Sequence, residues 1–317
     1  MSRDGNMTSS SSSVNMNNMA SLYSKDNNSL MPHHKRLVCF VEGNIGSGKS
    51  STARELQLFN ENCVSEQQRT DEWTLLSKYY EVGIHKKDIK LNYELQKQIA
   101  NTYFKHYFKY NFQPLNVQRD SSLTVYDLFE MEQLEGIMKK YSNNIVQIHP
   151  NSVHVWSSMG KEVLLDGGRD HPSSSSSDRI GTSDTFNIFF EGILSSSGVF
   201  TVMEYNKGMI AEEDYLDLCA NYDALKRGVT GHMAFYLKPK NNVDVCHERI
   251  KARKREFEGG IEKSYLKLIE EHYDSFMETV ATKIPVFIID NSTLDAKQTA
   301  ALILDIINAA KKDIQYM

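Results

Sequence analysis

The sequence predicts an α/β fold, a five-stranded parallel sheet with helices on both faces and an arginine-rich lid. Three observations predict it. Short apolar runs alternate with longer segments of helical spacing along the chain. The first apolar run ends in a glycine loop that fits G-x-x-x-x-G-K-[ST] without mismatch. A strongly basic helix pattern follows the fourth apolar run and stops near Gly259-Gly260.

Taken in order, residues 36–42 (RLVCFVE) are apolar and end at a glycine, the pattern of a buried parallel strand. A helix is predicted over 49–59 and a second strand over 62–66. Residues 91–110 carry Leu91, Leu95, Ile99 and Tyr103 at helical spacing with no Pro or Gly, which reads as a long helix. Residues 111–184 read as an insertion with partial structure of its own. It holds a helix over 121–141 and short β-like pieces at 145–148, 153–156 and 163–165. Regular alternation resumes with a strand at 186–191 (FNIFFE) and a helix at 211–226, whose first turn is acidic as the helix dipole favours. A strand at 232–237 (HMAFYL), a basic helix at 243–257 and a helix at 261–280 follow. A strand at 285–290 (PVFIID) and a helix at 294–311 close the chain.

The 317 residues, 40% hydrophobic, suffice for a sizeable core. The first 34 are mostly Ser, Asn and Met, and read as a disordered tail that buries too little to offset its chain entropy. Residues 35–317 then form one domain interrupted at about 111–184, with a further polar block at 173–177. A net charge of −5 argues against a nucleic-acid partner. No run of 18 apolar residues exists, which argues against a membrane span. Cys39, Cys63, Cys219 and Cys246 form no CxxC pair, so reduced thiols in an intracellular protein are expected. The N-terminus lacks a signal-peptide core. Its Arg3 and Lys25 are balanced by Asp4 and Asp26, so a cytoplasmic protein is expected, with a mitochondrial presequence as the minor alternative.

The glycine loop comprises Gly43, Asn44, Ile45, Gly46, Ser47, Gly48, Lys49 and Ser50. Its glycines let backbone N–H groups turn inward around a phosphate. Lys49 adds a point charge at the outer phosphates, and the Ser50 hydroxyl can ligate Mg²⁺. A strand before and a helix after supply the context of a P-loop NTPase-like fold. The pattern predicts nucleoside triphosphate binding but leaves the phosphate acceptor open.

The basic segment His247-Glu248-Arg249-Ile250-Lys251-Ala252-Arg253-Lys254-Arg255-Glu256 sets Arg249 and Arg253 on one helical face, with Arg255 beyond them. Arginines on a flap beside a phosphate loop suit closure over a transferring phosphoryl group, supplying charge where it develops.

With these motifs in place the sequence resembles the deoxynucleoside kinases, the group of deoxycytidine, deoxyguanosine and mitochondrial thymidine kinases and the insect enzyme. EGNIGSGKSS from Glu42 resembles the family's EGNI-x-x-GKS, and CHERIKARKRE from Cys246 resembles its lid, C-x-x-RI-x-x-R-x-R. IEKSYLKLIEEHYDSF resembles I-x-x-x-YL-x-x-L-x-x-x-H-x-x-W. The matches span about 37–110 and 186–290.

The resemblance implies ATP as donor, Mg²⁺, a deoxynucleoside acceptor and a homodimer. It makes Arg249 an ATP contact, and Lys49, Arg253 and Arg255 catalytic. Glu66 falls where the family's E-P-V motif has its general base, at the end of the second strand. Here Gln67 replaces the Pro, and the spacing to Trp73, a further substrate contact, is two residues longer. Leu75-Leu76-Ser77-Lys78-Tyr79-Tyr80 resembles LL-x-x-MY, whose Tyr binds the sugar 3′-hydroxyl; Tyr80 is the match and Glu258 its partner. Tyr93-Glu94-Leu95-Gln96 resembles F-x-F-Q, which makes Gln96 the contact to the base edge. Phe189-Phe190-Glu191 matches the FFERS motif, so Glu191 joins Ser50 at Mg²⁺, but Gly192 stands in place of the motif's Arg. Two other segments keep an arginine: Gln118-Arg119-Asp120, and Asp166-Gly167-Gly168-Arg169-Asp170-His171-Pro172, which resembles the DRHP of herpes-type thymidine kinases.

Relatives that accept cytosine or purines carry an Arg seven residues beyond the Gln, paired with an Asp after ERS. Tyr103 and Ser195 to Ser197 occupy those places here, which leans toward thymidine or pyrimidines. The expected activity is transfer of the ATP γ-phosphate to a deoxynucleoside 5′-hydroxyl. A thymidylate-like monophosphate kinase and a degenerate nucleotide-binding protein that uses its insertion for a partner are the alternatives.

Overall fold

A computed structural model describes residues 35–59, 61–83, 87–108, 131–140, 145–148, 185–227 and 231–310. The expected tail at 1–34, the polar block, the pieces at 153–156 and 163–165 and both alternative arginine segments lie outside the described residues.

The strands are β1 (Lys35–Gly43), β2 (Cys63–Glu66), β3 (Ile145–Ile148), β4 (Thr185–Glu191), β5 (Met233–Leu237) and β6 (Val286–Ile289). They form one sheet in the order β2-β4-β1-β5-β6-β3. The first five are mutually parallel, as the alternation with helices predicts. The sixth, β3, adds antiparallel to β6 and comes from the expected insertion. The longer helices are α1 (Lys49–Phe59), α2 (Ile89–Phe108), α3 (Met131–Lys140), α4 (Glu212–Arg227), α5 (Asn242–Arg253), α6 (Lys263–Ala281) and α7 (Ala296–Ala309). Helix α3 also belongs to the insertion, yet it packs on α7, where Lys140 pairs with Asp305. The segment 111–184 is therefore partly built into the sheet edge.

Period-2 alternation explains why the strands read as unbroken apolar runs. Val38, Phe40, Ile188, Phe190, Ala234 and Tyr236 are buried on one face of the sheet. Leu37, Cys39, Val41, Phe189, Met233 and Phe235 are buried on the other. The first face packs against α2, α4 and α6, through Leu95, Ile99, Tyr222, Leu266 and Tyr273 among others. The second packs against α1 and α7 through Leu56, Ile303 and Ile306. An Asp295–Gln298 capping box starts α7. No helix among the described residues is long and apolar enough to cross a membrane.

Two local differences from the sequence reading bear on the site. The basic helix ends at Arg253 rather than at 257, because Lys254 takes a left-handed backbone with φ 51°. The chain then turns back through a short 3-10 turn at Glu256–Glu258. After β4, residues 193–206 form a run of helical turns that the sequence reading did not anticipate.

Candidate active site

Because the sheet is parallel, the carboxyl ends of β1, β2, β4 and β5 open onto one edge, the place where such sheets bind ligands. A cleft of about 640 Å³ lies there. Its two ends differ in chemistry.

At one end is the phosphate loop. Gly46 and Gly48 hold φ of +83° and +100°, conformations open to glycine, and a Cβ on Gly46 would meet the Cys246 carbonyl at 2.5 Å. The loop is braced from behind. Asn44 Nδ2 donates to the Leu266 carbonyl at 2.8 Å. Asn291 Nδ2 and Arg249 Nη1 both donate to the Ser47 carbonyl, at 2.8 and 3.1 Å. Arg249 Nη2 donates to the Asn291 carbonyl at 2.7 Å. Lys49 Nζ lies across the loop and donates to the carbonyls of Gly43 and Asn44, at 2.7 and 3.0 Å.

Three buried ionisable groups meet here. Burial pulls the Lys49 ammonium pKa down, opposed by the charges of Glu191 and Glu42. Burial pushes Glu191 up, opposed first by Lys49 and then by the Ser50 hydroxyl, which donates to Glu191 Oε1. Glu42 is pushed up to about 7 by burial, against hydrogen bonds from Ser195 and from the Leu194 N–H. Ser50 and Glu191 are thus brought together at the mouth of the loop, as the motifs implied.

Arg253 and Arg255 reach the same cleft. Arg253 grips Glu258 with two hydrogen bonds, one from Nη2 at 2.7 Å, and Arg255 Nη1 adds a third at 3.3 Å. Glu258 is 4% exposed while both arginines are exposed, so the carboxylate fixes their direction. Tyr80 stacks on Phe257 with ring centroids 6.1 Å apart, and burial followed by the Glu258 charge pushes its hydroxyl pKa up. Tyr80 and Glu258 thus line the same cleft.

The other end is largely apolar, with Trp73, Leu76, Leu95, Ile99 and Phe200 on its walls. Gln96 is buried there, and its Oε1 accepts the Thr201 hydroxyl at 3.1 Å. Trp73 meets Tyr103 edge to face at 6.3 Å. Two further tyrosines support the floor: Tyr79 donates to buried Glu204 at 2.9 Å and contacts the Tyr265 hydroxyl at 2.9 Å.

Glu66 departs from expectation. It does end β2, paired in register with Phe190. Strand alternation then sends its side chain toward α2, into a small recess shared with Arg69, Thr102 and His106 rather than into the cleft. Glu66 Oε2 stands 4.0 Å from His106 Nδ1. The longer connection to Trp73 brings Gln67 and Gln68 to the cleft wall instead. The sequence reading missed Gln68, Phe200 and Tyr265 as cleft residues. Tyr265 had a signal, as the Tyr of the I-x-x-x-YL motif, whereas Gln68 had none.

The fold and this cleft define a class, α/β proteins with a phosphate loop between the first strand and the first helix. The family model of the deoxynucleoside kinases matches residues 175–315. That stretch includes β4, the arginine-bearing helix α5 and helix α6 after it, so the resemblance read from the motifs is borne out there. Among solved structures the chain is similar to deoxyadenosine kinase from M. mycoides with the products dCMP and a flexible dCDP bound, at 16% identity and a TM-score of 0.51. It is similar to the same enzyme with bound dCTP and with bound dATP, each at 16% identity and a TM-score of 0.50. Each likeness covers 86% of this chain and 99% of the other, and at this identity it speaks for the fold. No curated protein matches the sequence. Fold and family match together support a nucleoside kinase, a phosphotransferase.

Proposed function

We propose that the chain transfers the γ-phosphate of ATP to the 5′-hydroxyl of a deoxynucleoside, as in nucleotide salvage. The observation that carries this is one cleft shared by Lys49, Ser50 and Glu191 at one end and Tyr80, Glu258 and Gln96 at the other.

In this reading the amides of residues 44–50 and Lys49 hold the phosphates, and Arg249 keeps the loop in shape. Arg253 and Arg255, aimed by Glu258, answer the charge that grows on the transferring group. Tyr80 and Glu258 bind the sugar 3′-hydroxyl. Ser50 and Glu191 fit Mg²⁺: both are hard oxygen donors, and they already share a hydrogen bond. Among the described residues no group of three or more His, Cys, Asp or Glu could cage a metal, which suits an ion that takes its other ligands from phosphate and water. An ion held there would supply positive charge to the phosphates. The 5′-oxygen bonds to the γ-phosphorus as the bond to the β-bridging oxygen breaks, releasing ADP and a proton.

A pyrimidine is the favoured base. Gln96 is an uncharged amide in an apolar wall, and Tyr103 is tied up in protein hydrogen bonds, which suits a neutral, imide-bearing ring. A homodimer in the cytoplasm completes the proposal. A second reading, nucleotide binding without transfer, is favoured by Glu66 lying outside the cleft and by Gly192.

Offering thymidine and its monophosphate separately as acceptors tests the reading. Phosphorylation of thymidine is expected, since an anionic acceptor would face Glu258; phosphorylation of the monophosphate alone points to a monophosphate kinase.

A further inference from the structure

The kinase reading leaves open what meets the acceptor hydroxyl, because Glu66 lies beside His106. Gln68 lines the cleft that holds Ser50, Glu191 and Gln96. Its backbone N–H donates to Glu191 Oε2 at 3.0 Å, and the other oxygen of that carboxylate holds Ser50. Its side-chain Nε2 donates to the Tyr103 hydroxyl at 3.1 Å, and that hydroxyl donates to the Glu191 carbonyl at 3.3 Å. Gly192 leaves room for this amide: a Cβ there would lie 2.0 Å from Gln68 Nε2. With Nε2 committed as a donor, the amide has its Oε1 left as an acceptor; Oε1 makes no hydrogen bond among the described residues.

We propose that Gln68 is a catalytic residue that orients the acceptor hydroxyl with a neutral amide, at the place where the sequence pattern implies a carboxylate base. The inference rests on the kinase reading. Gln68 Oε1 accepts the hydroxyl hydrogen bond and aims the oxygen lone pair at the γ-phosphorus. A loose transition state needs little prior deprotonation, so orientation suffices. As the new oxygen–phosphorus bond forms, the proton passes to an oxygen of the transferred phosphoryl group and then to water, and ADP leaves with the bridging oxygen.

The test measures kcat and KM for deoxynucleoside with ATP and Mg²⁺ in the full chain, Gln68→Leu, Gln68→Glu and Glu66→Gln. Gln68→Leu keeps the bulk and loses the acceptor, so kcat should fall roughly 10- to 100-fold with KM for the deoxynucleoside little changed. Gln68→Glu, which restores an acceptor, should recover turnover relative to Gln68→Leu. An unchanged melting temperature and ATP affinity in Gln68→Leu separate this from misfolding. Should Gln68→Leu unfold, the role is read from Gln68→Glu against Glu66→Gln. Wild-type kcat in Gln68→Leu, or a loss confined to KM, overturns the proposal. So does a loss of turnover in Glu66→Gln that Gln68 variants do not match. An unmodified chain that phosphorylates no deoxynucleoside sinks the kinase reading itself and this inference with it.

Discussion

The side-chain amide of Gln68 occupies the space that any Cβ on Gly192 would need, 2.0 Å from its ideal position. Gly192 has φ +67°, so this one residue frees both the backbone turn after β4 and the room above it. Gly192→Ala should therefore act twice. The left-handed backbone costs about 1–2 kcal/mol for a residue with a Cβ, and Gln68 must move from Tyr103. A lowered melting temperature together with reduced turnover is expected, measured on the same preparation. Full stability and turnover would contradict the packing described.

Glu42 gives a stability prediction with a definite sign. Its carboxyl is pushed from 4.5 to about 7 by burial, so between these values the folded state holds a proton that the unfolded state has lost. Stability from this group is complete below about 4.5 and is lost as pH rises through about 7. Glu42→Gln, permanently neutral, should melt above the unmodified chain at pH 8, with the gap closing toward pH 5. Paired melting curves in the absence of nucleotide check this, and a gap that widens on acidification would contradict it.

Tyr80 and Glu258 should report the sugar. If they bind the 3′-hydroxyl, the unmodified protein prefers a deoxynucleoside to its 2′,3′-dideoxy analogue in kcat/KM. Tyr80→Phe should erase most of that preference, by about tenfold for one lost hydrogen bond of about 1.4 kcal/mol. Glu258→Gln should cost more, because it also releases Arg253 and Arg255. Steady-state kinetics with both sugars decide the matter.

Arg249 braces the phosphate loop through the carbonyls of Ser47 and Asn291. Arg249→Met should raise KM for ATP about tenfold, as the loop loses two charge-assisted hydrogen bonds. KM for the deoxynucleoside should change little, since Arg249 lies against the phosphate loop. Equal effects on both substrates would contradict that division.

Much of this was legible in the sequence for physical reasons. Both sheet faces are covered, so strands such as 232–237 appear as unbroken apolar runs. The glycine loop announces itself because the backbone conformations at Gly46 and Gly48 favour that residue type. Tyr80, Glu258, Gln96 and Glu191 were legible through the family motifs, and the cleft brings them together. What was hidden depends on side-chain direction at the end of a strand. Nothing in the string Ser-Glu-Gln-Gln says that the Glu66 side chain turns toward His106 while that of Gln68 turns toward Tyr103. Lys254, with its left-handed backbone, likewise ended a helix that charge pattern alone would extend. Strand β3 was visible as a β-like piece, but its antiparallel place beside β6 depends on long-range pairing.

The proposed activity is transfer of phosphate from ATP to a deoxynucleoside in this cleft. The most direct measurement incubates the full chain with γ-³²P-labelled ATP, Mg²⁺ and each of the four deoxynucleosides, and separates the products. Label is expected in a deoxynucleoside 5′-monophosphate, most with thymidine, and none with Lys49→Met. ATP bound or hydrolysed with no label in any of the four would contradict it.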